Sequence, residues 1–576
     1  MKKIFGYFKP YKWQAVLGPL FKLLEATFEL LVPFVVAAIV DKGIPFADKG
    51  YIARMCLLLG GFGLFGFLFA VAAQYFSART AVGVAAGVRR DLFKKLQSFS
   101  YRDIDRMGEA TMLTRMTSDI DKMQTGINLF LRLFLRSPFI VFGAMVCAYI
   151  IDPASFWIFA VAIVALALVV YAVMLACMPL YKKTQAKLDK VLLSTRENLS
   201  GARVLRAFCK EEDERRIFDE RNGELTRGRK FVGGIAAITN PLTCVLVNIA
   251  IVLLLWTGAI RVDSGRLSQG SVIALYNLMG QILIELIKLA NLIVTVAKAA
   301  ASANRIEGVL GMQSSLCLAE DETPDTQTEE FVVFDNVSLK YTEGAEEALK
   351  DISFRVRRGE TVGVIGGTGS GKTTLVNLIP HFYDVSGGQV RVDGRDTRCK
   401  GLQGYLRERI GVVPQKAKLF KGTVKENLLW GRSDATDEEL WTALKIAQAA
   451  DFVAEKGGLD APVEQGGKNF SGGQKQRLTI ARALVRKPEI LILDDSSSAL
   501  DYATDATLRG EIKKLNTTTF VVSQRTSSVR DADKIIVLDE GKAVGIGTHD
   551  ELMNACEVYR EIYFSQYQDE REDYAV

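Results

Sequence analysis

The stretch Ile365-Gly-Gly-Thr-Gly-Ser-Gly-Lys-Thr-Thr-Leu375 decides the fold of the second half of the chain. It follows the apolar run 361–365 and precedes the helical run 375–379, and this order fits the pattern G-x-x-x-x-G-K-[ST]. Backbone N–H groups of such a loop surround phosphate oxygens, so the sequence predicts a nucleotide site. We expect Lys372 to reach the β- and γ-phosphates and Thr373 to bind Mg²⁺. The predicted phosphate loop contains Gly366, Gly367, Thr368, Gly369, Ser370, Gly371, Lys372, Thr373 and Thr374.

Composition indicates that part of the chain lies in a membrane. Its 576 residues favour several domains, and 49% of them are hydrophobic, with a mean hydropathy of +0.15. The net charge of +6 arises from 72 basic and 66 acidic residues, and so small an excess does not indicate a nucleic-acid partner. The eight cysteines lack metal-ligand spacing, so we expect reduced thiols.

Six apolar stretches are long enough to span a bilayer about 30 Å thick. Basic residues concentrate in the two long stretches that follow the second and fourth spans, whereas the other connections are short. The positive-inside rule therefore predicts a multi-pass membrane protein with both termini and these long stretches in the cytoplasm. The predicted spans are 13–40, 55–77, 128–151, 154–179, 235–260 and 271–296.

The long cytoplasmic stretches keep helical residues and lack clusters of glycine and proline. We therefore expect the membrane helices to continue well beyond the bilayer. The helical pattern breaks at 100–108 and at 201–209. From the residues alone, these turns either dock on another domain or belong to ordinary solvated helical hairpins.

Charged residues also occur inside two of the predicted spans. A charge within a membrane helix is costly unless it is paired or faces water. One interpretation places these residues around a polar central cavity. The other satisfies them by local ion pairs or helix contacts, with the lysine of the first span reaching outward. The residues are Lys22, Glu25 and Glu29 in the first span and Glu285 and Lys288 in the sixth.

An acidic stretch that contains a proline separates the membrane part from the phosphate-loop part. We predict a transmembrane domain over 1–310, a linker over 311–330 and a nucleotide-binding domain over 331–576. The stretch Glu489–Asp495 is typical of a short buried strand that ends in two carboxylates, and Asp494 is placed to hold Mg²⁺ beside a phosphate loop. Tyr341 ends an alternating strand, where it either stacks on a base or is an ordinary surface tyrosine.

In combination, these motifs resemble those of an ATP-binding cassette exporter half-transporter. The resemblance covers nearly the whole chain, because the six spans precede Val412-Val-Pro-Gln415, Phe470-Ser-Gly-Gly-Gln474 and Ser498-Ala-Leu-Asp501 in order. It implies an all-α six-helix transmembrane domain with long cytoplasmic helices. An α/β nucleotide-binding domain with a RecA-like core and a helical subdomain would follow, with ATP and Mg²⁺ as cofactors.

The resemblance also implies roles for single residues. Tyr341 would stack on adenine, Gln415 would link Mg²⁺ to the membrane domain, and the turns near 100–108 and 201–209 would be coupling helices that contact the cassettes. Cassettes of this family pair head to tail, so the signature segment 471–474 of one chain faces ATP in the phosphate loop of the other. The residues offered to the partner's ATP would be Ser471, Gly472, Gly473, Gln474 and Asp501.

Two positions depart from the family pattern. Family members carry glutamate after the magnesium aspartate, where it orients or deprotonates the attacking water, but this chain has Asp495. Aspartate is one methylene shorter, and a displacement of about 1 Å can lower a rate on the order of 100-fold. Gln524 stands at the switch position, where the family has histidine. Glutamine can bond the γ-phosphate but cannot carry a positive charge.

Both changes predict a degenerate site that binds ATP and hydrolyses it poorly. The chain then resembles one subunit of the heterodimeric bacterial exporters, in which a partner half-transporter supplies the competent glutamate and histidine. We expect the pair to export hydrophobic small molecules, lipids or peptides by alternating access. The alternatives are a homodimeric exporter with slow hydrolysis and an ATP-gated channel or regulatory membrane protein.

Overall fold

The structure is a computed structural model that describes residues 2–316, 318–320, 329–342 and 344–567. Its described residues separate into two compact units. The first comprises those of Met1–Gln97 and Glu109–Met312, and the second those of Ser98–Gly108 and Gln313–Val576. Cys317 and residues 321–328 of the predicted linker lie outside the described residues.

All regular elements among the described residues of the first unit are helical, and further helices surround the sheets of the second. In chain order the helices are α1 Lys2–Gly6, α2 Lys12–Ala38, α3 Lys49–Gln97, α4 Tyr101–Met107, α5 Glu109–Thr114, α6 Ile120–Leu133, α7 Arg136–Ile151, α8 Pro153–Ser200, α9 Ala202–Ala207, α10 Glu211–Ala237, α11 Thr239–Asp263, α12 Gln269–Gly311, α13 Lys372–Leu378, α14 Leu402–Arg409, α15 Val424–Leu429, α16 Asp437–Ile446, α17 Ala450–Glu455, α18 Gly472–Val485, α19 Tyr502–Lys513, α20 Thr526–Val529, α21 His549–Ala555 and α22 Glu557–Gln566.

Several helical stretches of the first unit are able to cross a membrane by their length and apolar composition. Each of them contains one of the first five predicted spans. The sixth predicted span, 271–296, lies within the single helix α12. This helix is not among the stretches that meet both criteria, length and apolar composition. The five stretches are Lys9–Gly43, Lys49–Gln97, Glu109–Ile151, Pro153–Ser200 and Glu211–Asp263.

The third and fifth predicted spans each contain a helix break. The third passes from α6 to α7 through a turn at 134–135, just before Pro138. The fifth passes from α10 to α11 at Ile238, just before Pro241. Proline has no N–H to donate and is favoured in the first turn of a helix, and in both places the proline lies in the first turn of the new helix.

The core of the first unit lies among α2, α7, α8, α11 and α12. Ala26, Ile140, Phe159, Leu254 and Ile282 pack there with at most 1% of their surfaces exposed. Since α2 and α12 share this core, the charged residues of the first and sixth predicted spans lie in the same unit.

The second unit contains two larger sheets. The antiparallel sheet has the order β2-β1-β4-β5, and the other has the order β12-β11-β3-β10-β9-β6, with only β12 antiparallel to its neighbour. Strands β7 and β8 form a short pair. The strands are β1 Glu330–Leu339, β2 Leu349–Arg357, β3 Thr361–Gly366, β4 Gly387–Val392, β5 Arg395–Asp396, β6 Ile410–Val413, β7 Gly422–Thr423, β8 Pro462–Val463, β9 Ile490–Asp494, β10 Thr518–Val522, β11 Lys534–Asp539 and β12 Lys542–Gly547.

Parallel strands bring their carboxyl ends to one edge of the six-stranded sheet. Val522 of β10 pairs with Val364 of β3 on one side and with Asp494 of β9 on the other. The loops that follow these three strands are therefore neighbours, as expected for ligand sites in open α/β sheets.

Part of the predicted linker is attached to the second unit. Ala319 forms a bridge with Cys399, and its N–H donates to the carbonyl oxygen of Arg398 at 2.9 Å. This described part is therefore held by backbone hydrogen bonds, which its acidic composition did not indicate.

Candidate functional site

The phosphate loop follows β3 and requires glycine at two positions. A Cβ on Gly366 would lie 2.1 Å from the carbonyl oxygen of Leu538. Gly371 has a φ of 98°, and a Cβ there would lie 2.7 Å from the carbonyl oxygen of Ala348. Side chains at these positions would move the loop away from the strand and from the start of α13.

Lys372 turns its ammonium into this loop. Its Nζ donates to the carbonyl oxygens of Gly366 at 2.9 Å and Gly367 at 2.6 Å. Burial lowers the pKa of Lys372, and the charges of Asp495 and Asp494 act in the opposite direction. A buried ammonium group within a glycine-rich loop fits the phosphates of a nucleotide.

Thr373 and Asp494 present oxygen atoms beside the loop. Thr373 Oγ1 donates to Asp494 Oδ1 at 2.9 Å. Burial raises the pKa of Asp494 and the neighbouring Asp495 adds to this, whereas the Thr373 bond and Lys372 lower it. Hydroxyl and carboxylate oxygens are ligands that Mg²⁺ prefers, usually together with phosphate oxygens and water. The described residues contain no group of three or more His, Cys, Asp or Glu suited to a metal. The oxygen atoms of Thr373 and Asp494 fit a Mg²⁺ ion that also binds the phosphates of a nucleotide.

Gln415 and Asp495 contact each other directly. Gln415 Nε2 donates to Asp495 Oδ2 at 3.0 Å, and the Asp495 N–H donates to the carbonyl oxygen of Val522 at 2.9 Å. Asp495 has a φ of 47°, which is uncommon for a residue other than glycine. The carboxylate at the predicted catalytic position is therefore held on one side by a neutral amide.

Gln524 lies in the loop after β10, between the phosphate loop and Asp495. Ser523, the preceding residue, extends the sheet by donating its N–H to the carbonyl oxygen of Val364 at 3.1 Å. The two histidines already have other partners: His381 Nε2 lies 2.7 Å from Asp384, and His549 Nδ1 lies 2.8 Å from the Tyr559 hydroxyl. Gln524 stands at the predicted switch position, and each histidine is bonded to a residue elsewhere.

Tyr341 lies close to the end of the phosphate loop. Its hydroxyl is 2.8 Å from Thr374 Oγ1, and its ring meets the Tyr383 ring edge to face at 5.2 Å. Burial raises the pKa of Tyr341, so this phenol stays protonated at neutral pH. This contact places Tyr341 beside the predicted phosphate loop, and its stacking on adenine stays a prediction.

Tyr383 was not identified from the sequence, although the aromatic pair Phe382-Tyr383, a few residues after α13, is a visible signal. Its hydroxyl donates to Asp105 Oδ2 at 2.9 Å, and the Phe382 ring lies 4.6 Å from that of Tyr101. The segment Ser98–Gly108, which contains one predicted coupling turn, therefore contacts the residues that follow the phosphate-loop helix.

Asp103 fixes the start of α4. Its Oδ2 accepts hydrogen bonds from the Ser100 hydroxyl at 2.8 Å, from Ser100 N–H at 3.1 Å and from Ser315 N–H at 3.0 Å. Burial opposes ionisation of this carboxyl, but the donors outweigh burial and leave the pKa of Asp103 below its ordinary value. The carboxylate therefore joins the segment Ser98–Gly108 to the chain that leads into the cassette.

Acid is expected to loosen this contact. Because the folded-state pKa of Asp103 is depressed, its contribution is present above the unfolded pKa of about 3.9 and is lost as pH falls through the folded value. Hydrogen exchange of residues 98–108, corrected for intrinsic rates, should stay constant from pH 7 to about pH 5 and increase as the pH falls below about 4. Asp103→Asn should flatten the dependence and cost about 1–3 kcal/mol at neutral pH. An unchanged pH dependence in the variant would contradict the assignment.

The predicted signature segment lies at the start of α18. The Ser471 hydroxyl accepts from Gln474 N–H at 3.3 Å, and Gln474 Oε1 accepts from Ser471 N–H at 3.0 Å, so the two residues cap the helix. Asp501 caps α19 by accepting from Thr504 N–H at 3.0 Å. Among the described residues, no hydrogen bond or ion pair joins these motifs to the phosphate loop of the same chain.

A second group of functional candidates lies in the first unit and is organised by Arg136. Its Nη1 donates to Glu285 at 2.5 Å and its Nη2 to Glu29 at 2.6 Å. Glu285 also accepts from the Ser137 hydroxyl and from Lys288, both at 2.8 Å. Glu29 of the first predicted span and Glu285 of the sixth are therefore ion-paired through Arg136, a residue that the sequence did not single out.

Lys22 is buried and does not reach outward. Its Nζ donates to both carboxylate oxygens of Glu25, at 2.8 Å and 2.5 Å. The local ion pair anticipated in one of the two interpretations is thus present. Glu29 and Lys288 keep 42% and 41% of their side chains exposed, so both ends of the Arg136 network reach the surface of the first unit.

Comparisons with known proteins agree with this architecture. Residues 16–286 match the family described as ABC transporter transmembrane region, and residues 349–498 match the family described as ABC transporter. The chain is 36% identical over 567 residues to an uncharacterized ABC transporter ATP-binding protein of Mycobacterium tuberculosis, with 97% of each chain covered. It is 27% identical over 584 residues to an ATP-dependent lipid A-core flippase of Desulfotalea psychrophila, covering 98% of this chain and 99% of the relative.

The fold also matches a solved structure of a bacterial Atm1-family ABC exporter with ATP bound. The TM-score is 0.80 at 23% sequence identity, and the match covers 96% of this chain and 98% of the other. The predicted fold class, a helical transmembrane part followed by an α/β nucleotide-binding part, is therefore confirmed.

Proposed function

The chain belongs to the ABC transporter family, and from this premise we propose that it is the degenerate-site half of a heterodimeric exporter. As an ABC exporter it couples ATP to export across a membrane. The finer proposal is that its own phosphate loop binds ATP and turns it over slowly. Its signature segment would then complete a competent site on a partner half-transporter.

The proposed ATP site uses the residues at the carboxyl edge of the six-stranded sheet. Tyr341 stacks on adenine, and the loop 366–374 holds the phosphates. Lys372 exchanges its carbonyl partners for the β- and γ-phosphates. Thr373, Gln415 and Asp494 would hold Mg²⁺, which neutralises phosphate charge.

The observation that carries the degenerate-site proposal is the hydrogen bond of 3.0 Å between Gln415 and Asp495. A general base must come within hydrogen-bond reach of the water that it activates. The Asp495 side chain is one methylene short of the family glutamate, and its Oδ2 is already engaged by an amide. Gln524 adds a neutral hydrogen-bonding group where the family has histidine. Two of the groups that promote hydrolysis are thus replaced, while the phosphate-binding groups are kept.

The proposed partner uses the other motifs of this chain. Ser471 and Gly472 are exposed, and nothing lies within 4 Å of a Cβ placed on Gly472. The N–H groups and positive end of α18 are therefore accessible to the γ-phosphate of an ATP held by another chain. We include Asp501 among the residues of this chain that face the ATP of the partner. This supports a head-to-tail pair in which the partner supplies the competent glutamate and histidine.

We place the exporter in the plasma membrane with both termini and the cassette in the cytoplasm. Its proposed cargo is a hydrophobic or amphipathic small molecule, lipid or peptide, and the name of the Desulfotalea relative supports a lipid among these. The exposed ends of the Arg136 network support a cargo with a polar part as well as an apolar part. Binding of ATP favours closure of the cassettes, and hydrolysis in the partner's site resets them.

The test compares two samples. One is this chain purified alone, and the other is this chain co-expressed with a half-transporter that a neighbouring gene encodes. Alone, it should bind a fluorescent ATP analogue yet hydrolyse ATP at close to the background rate. The pair should hydrolyse ATP and should lose that activity when only the partner's glutamate is replaced by glutamine. Lys372→Ala is the control variant, because it should abolish nucleotide binding by this chain. Brisk hydrolysis by the chain alone would overturn the degenerate-site proposal.

A further inference from the structure

The last described helix, α22, is anchored in the core of the second unit. Tyr559 and Tyr563 are 0% and 1% exposed. The Tyr559 hydroxyl bonds His549 on α21, and both tyrosines share a core cluster with Val521 of β10 and Val529 of α20. The end of α22 therefore has a fixed place beside the loop that joins β10 to α20.

Gln566, at the end of α22, bonds the backbone on both sides of Arg525. Its Nε2 donates to the carbonyl oxygen of Gln524 at 2.8 Å. Its Oε1 accepts from the N–H of Thr526 at 2.9 Å and from the Thr526 hydroxyl at 3.0 Å. Arg525 provides no side-chain cap for α20, so Gln566 satisfies an N–H group at the start of that helix.

The six-stranded sheet holds the other side of the loop between β10 and α20. Ser523 N–H donates to Val364, and the Ser523 hydroxyl accepts from Arg525 N–H at 3.0 Å. Gln524 is exposed and stands between the two anchors. Its backbone carbonyl is held by Gln566, and loss of that bond would let the residue rotate.

We propose that Gln566 is a positioning residue that holds Gln524 toward the γ-phosphate and so lets this chain's site distinguish ATP from ADP. The inference rests on the proposed nucleotide site. A cation at the switch position would attract the γ-phosphate over a distance, because Coulomb attraction falls slowly with separation. A neutral amide acts only by a hydrogen bond, which weakens steeply with misalignment. Backbone placement therefore matters more for Gln524 than for a charged residue in that position.

The test measures ATP and ADP affinities of the full-length chain by competition with a fluorescent nucleotide. Gln566→Met keeps the length of the side chain and removes both its donor and its acceptor. The preference for ATP over ADP should fall about three- to tenfold, with the ADP affinity unchanged. Gln524→Ala should lower the preference to a similar extent. The double variant should be no worse than Gln524→Ala, since both residues act through one contact.

Two further variants distinguish a positioning role of Gln566 from a general loss of folding or nucleotide binding. Ser565→Ala is the matched control, because the Ser565 hydroxyl donates to the Ile562 carbonyl oxygen at 2.7 Å within the same helix. This variant should leave the preference for ATP over ADP unchanged. Gln566→Glu keeps the acceptor and loses the donor, so its effect should be smaller than that of Gln566→Met. Equal weakening of ATP and ADP, or additive losses in the double variant, would overturn the inference alone. If the unmodified chain binds neither nucleotide, the proposed function fails and the inference with it.

Discussion

Arg136→Met is expected to prevent the membrane unit from folding stably. The guanidinium joins Glu29 on α2 to Glu285 on α12, and the Glu285 side chain is only 3% exposed. Removal of the arginine leaves these carboxylates with less than their full set of partners inside the helix bundle. Breaking a buried ion pair by removing one partner costs about 3–5 kcal/mol. The monodisperse fraction after heating in detergent, measured by size-exclusion chromatography, should fall well below that of the unmodified chain.

The controls for this variant test charge as distinct from packing. Arg136→Met combined with Glu285→Gln removes both charges of the Arg136–Glu285 pair and should recover part of the lost stability. Arg132→Met, on α6, changes an arginine that has no ion pair among the described residues and should have little effect. If Arg132→Met and Arg136→Met are equally damaging, the ion-pair network is not what stabilises the unit.

The nucleotide site was predictable because its parts are local in sequence. The glycine spacing of the phosphate loop and the apolar strand before Asp494 are visible without a structure. Parallel strand pairing then places their ends at one edge. The sequence therefore predicted Lys372, Thr373 and Asp494 as neighbours, and the structure joins Thr373 to Asp494 by a hydrogen bond.

Other contacts depend on residues far apart in the chain. Arg136 begins α7, directly after a helix break, and nothing in its neighbourhood shows that Glu29 and Glu285 approach it. Gln566 lies 42 residues from Gln524, in a helix whose pattern signals only burial of its tyrosines. Such partners are set by tertiary packing, which periodicity within one segment does not report.

Asp495→Glu together with Gln524→His is expected to raise the ATP hydrolysis rate of this chain by about 10- to 100-fold. Glutamate adds the methylene that aspartate lacks, so its carboxylate can extend beyond the Gln415 amide toward a water at the γ-phosphate. Histidine adds a side chain that can carry positive charge near the γ-phosphate. The KM for ATP should change much less than kcat, because the loop 366–374 and Tyr341 are untouched. Steady-state phosphate release by the purified chain in lipid nanodiscs measures both constants.

The single changes decide which group limits the reaction. Asp495→Glu alone should supply most of the gain, since the base touches the reacting water, and Gln524→His alone should supply less. Asp495→Asn keeps the side-chain length but removes the charge, so it should produce no gain. Adding Lys372→Ala should silence the double variant, which ties any gained activity to this chain's own site. A double variant no faster than the unmodified chain would mean that the Gln415–Asp495 contact and the short carboxylate are not what keeps hydrolysis slow.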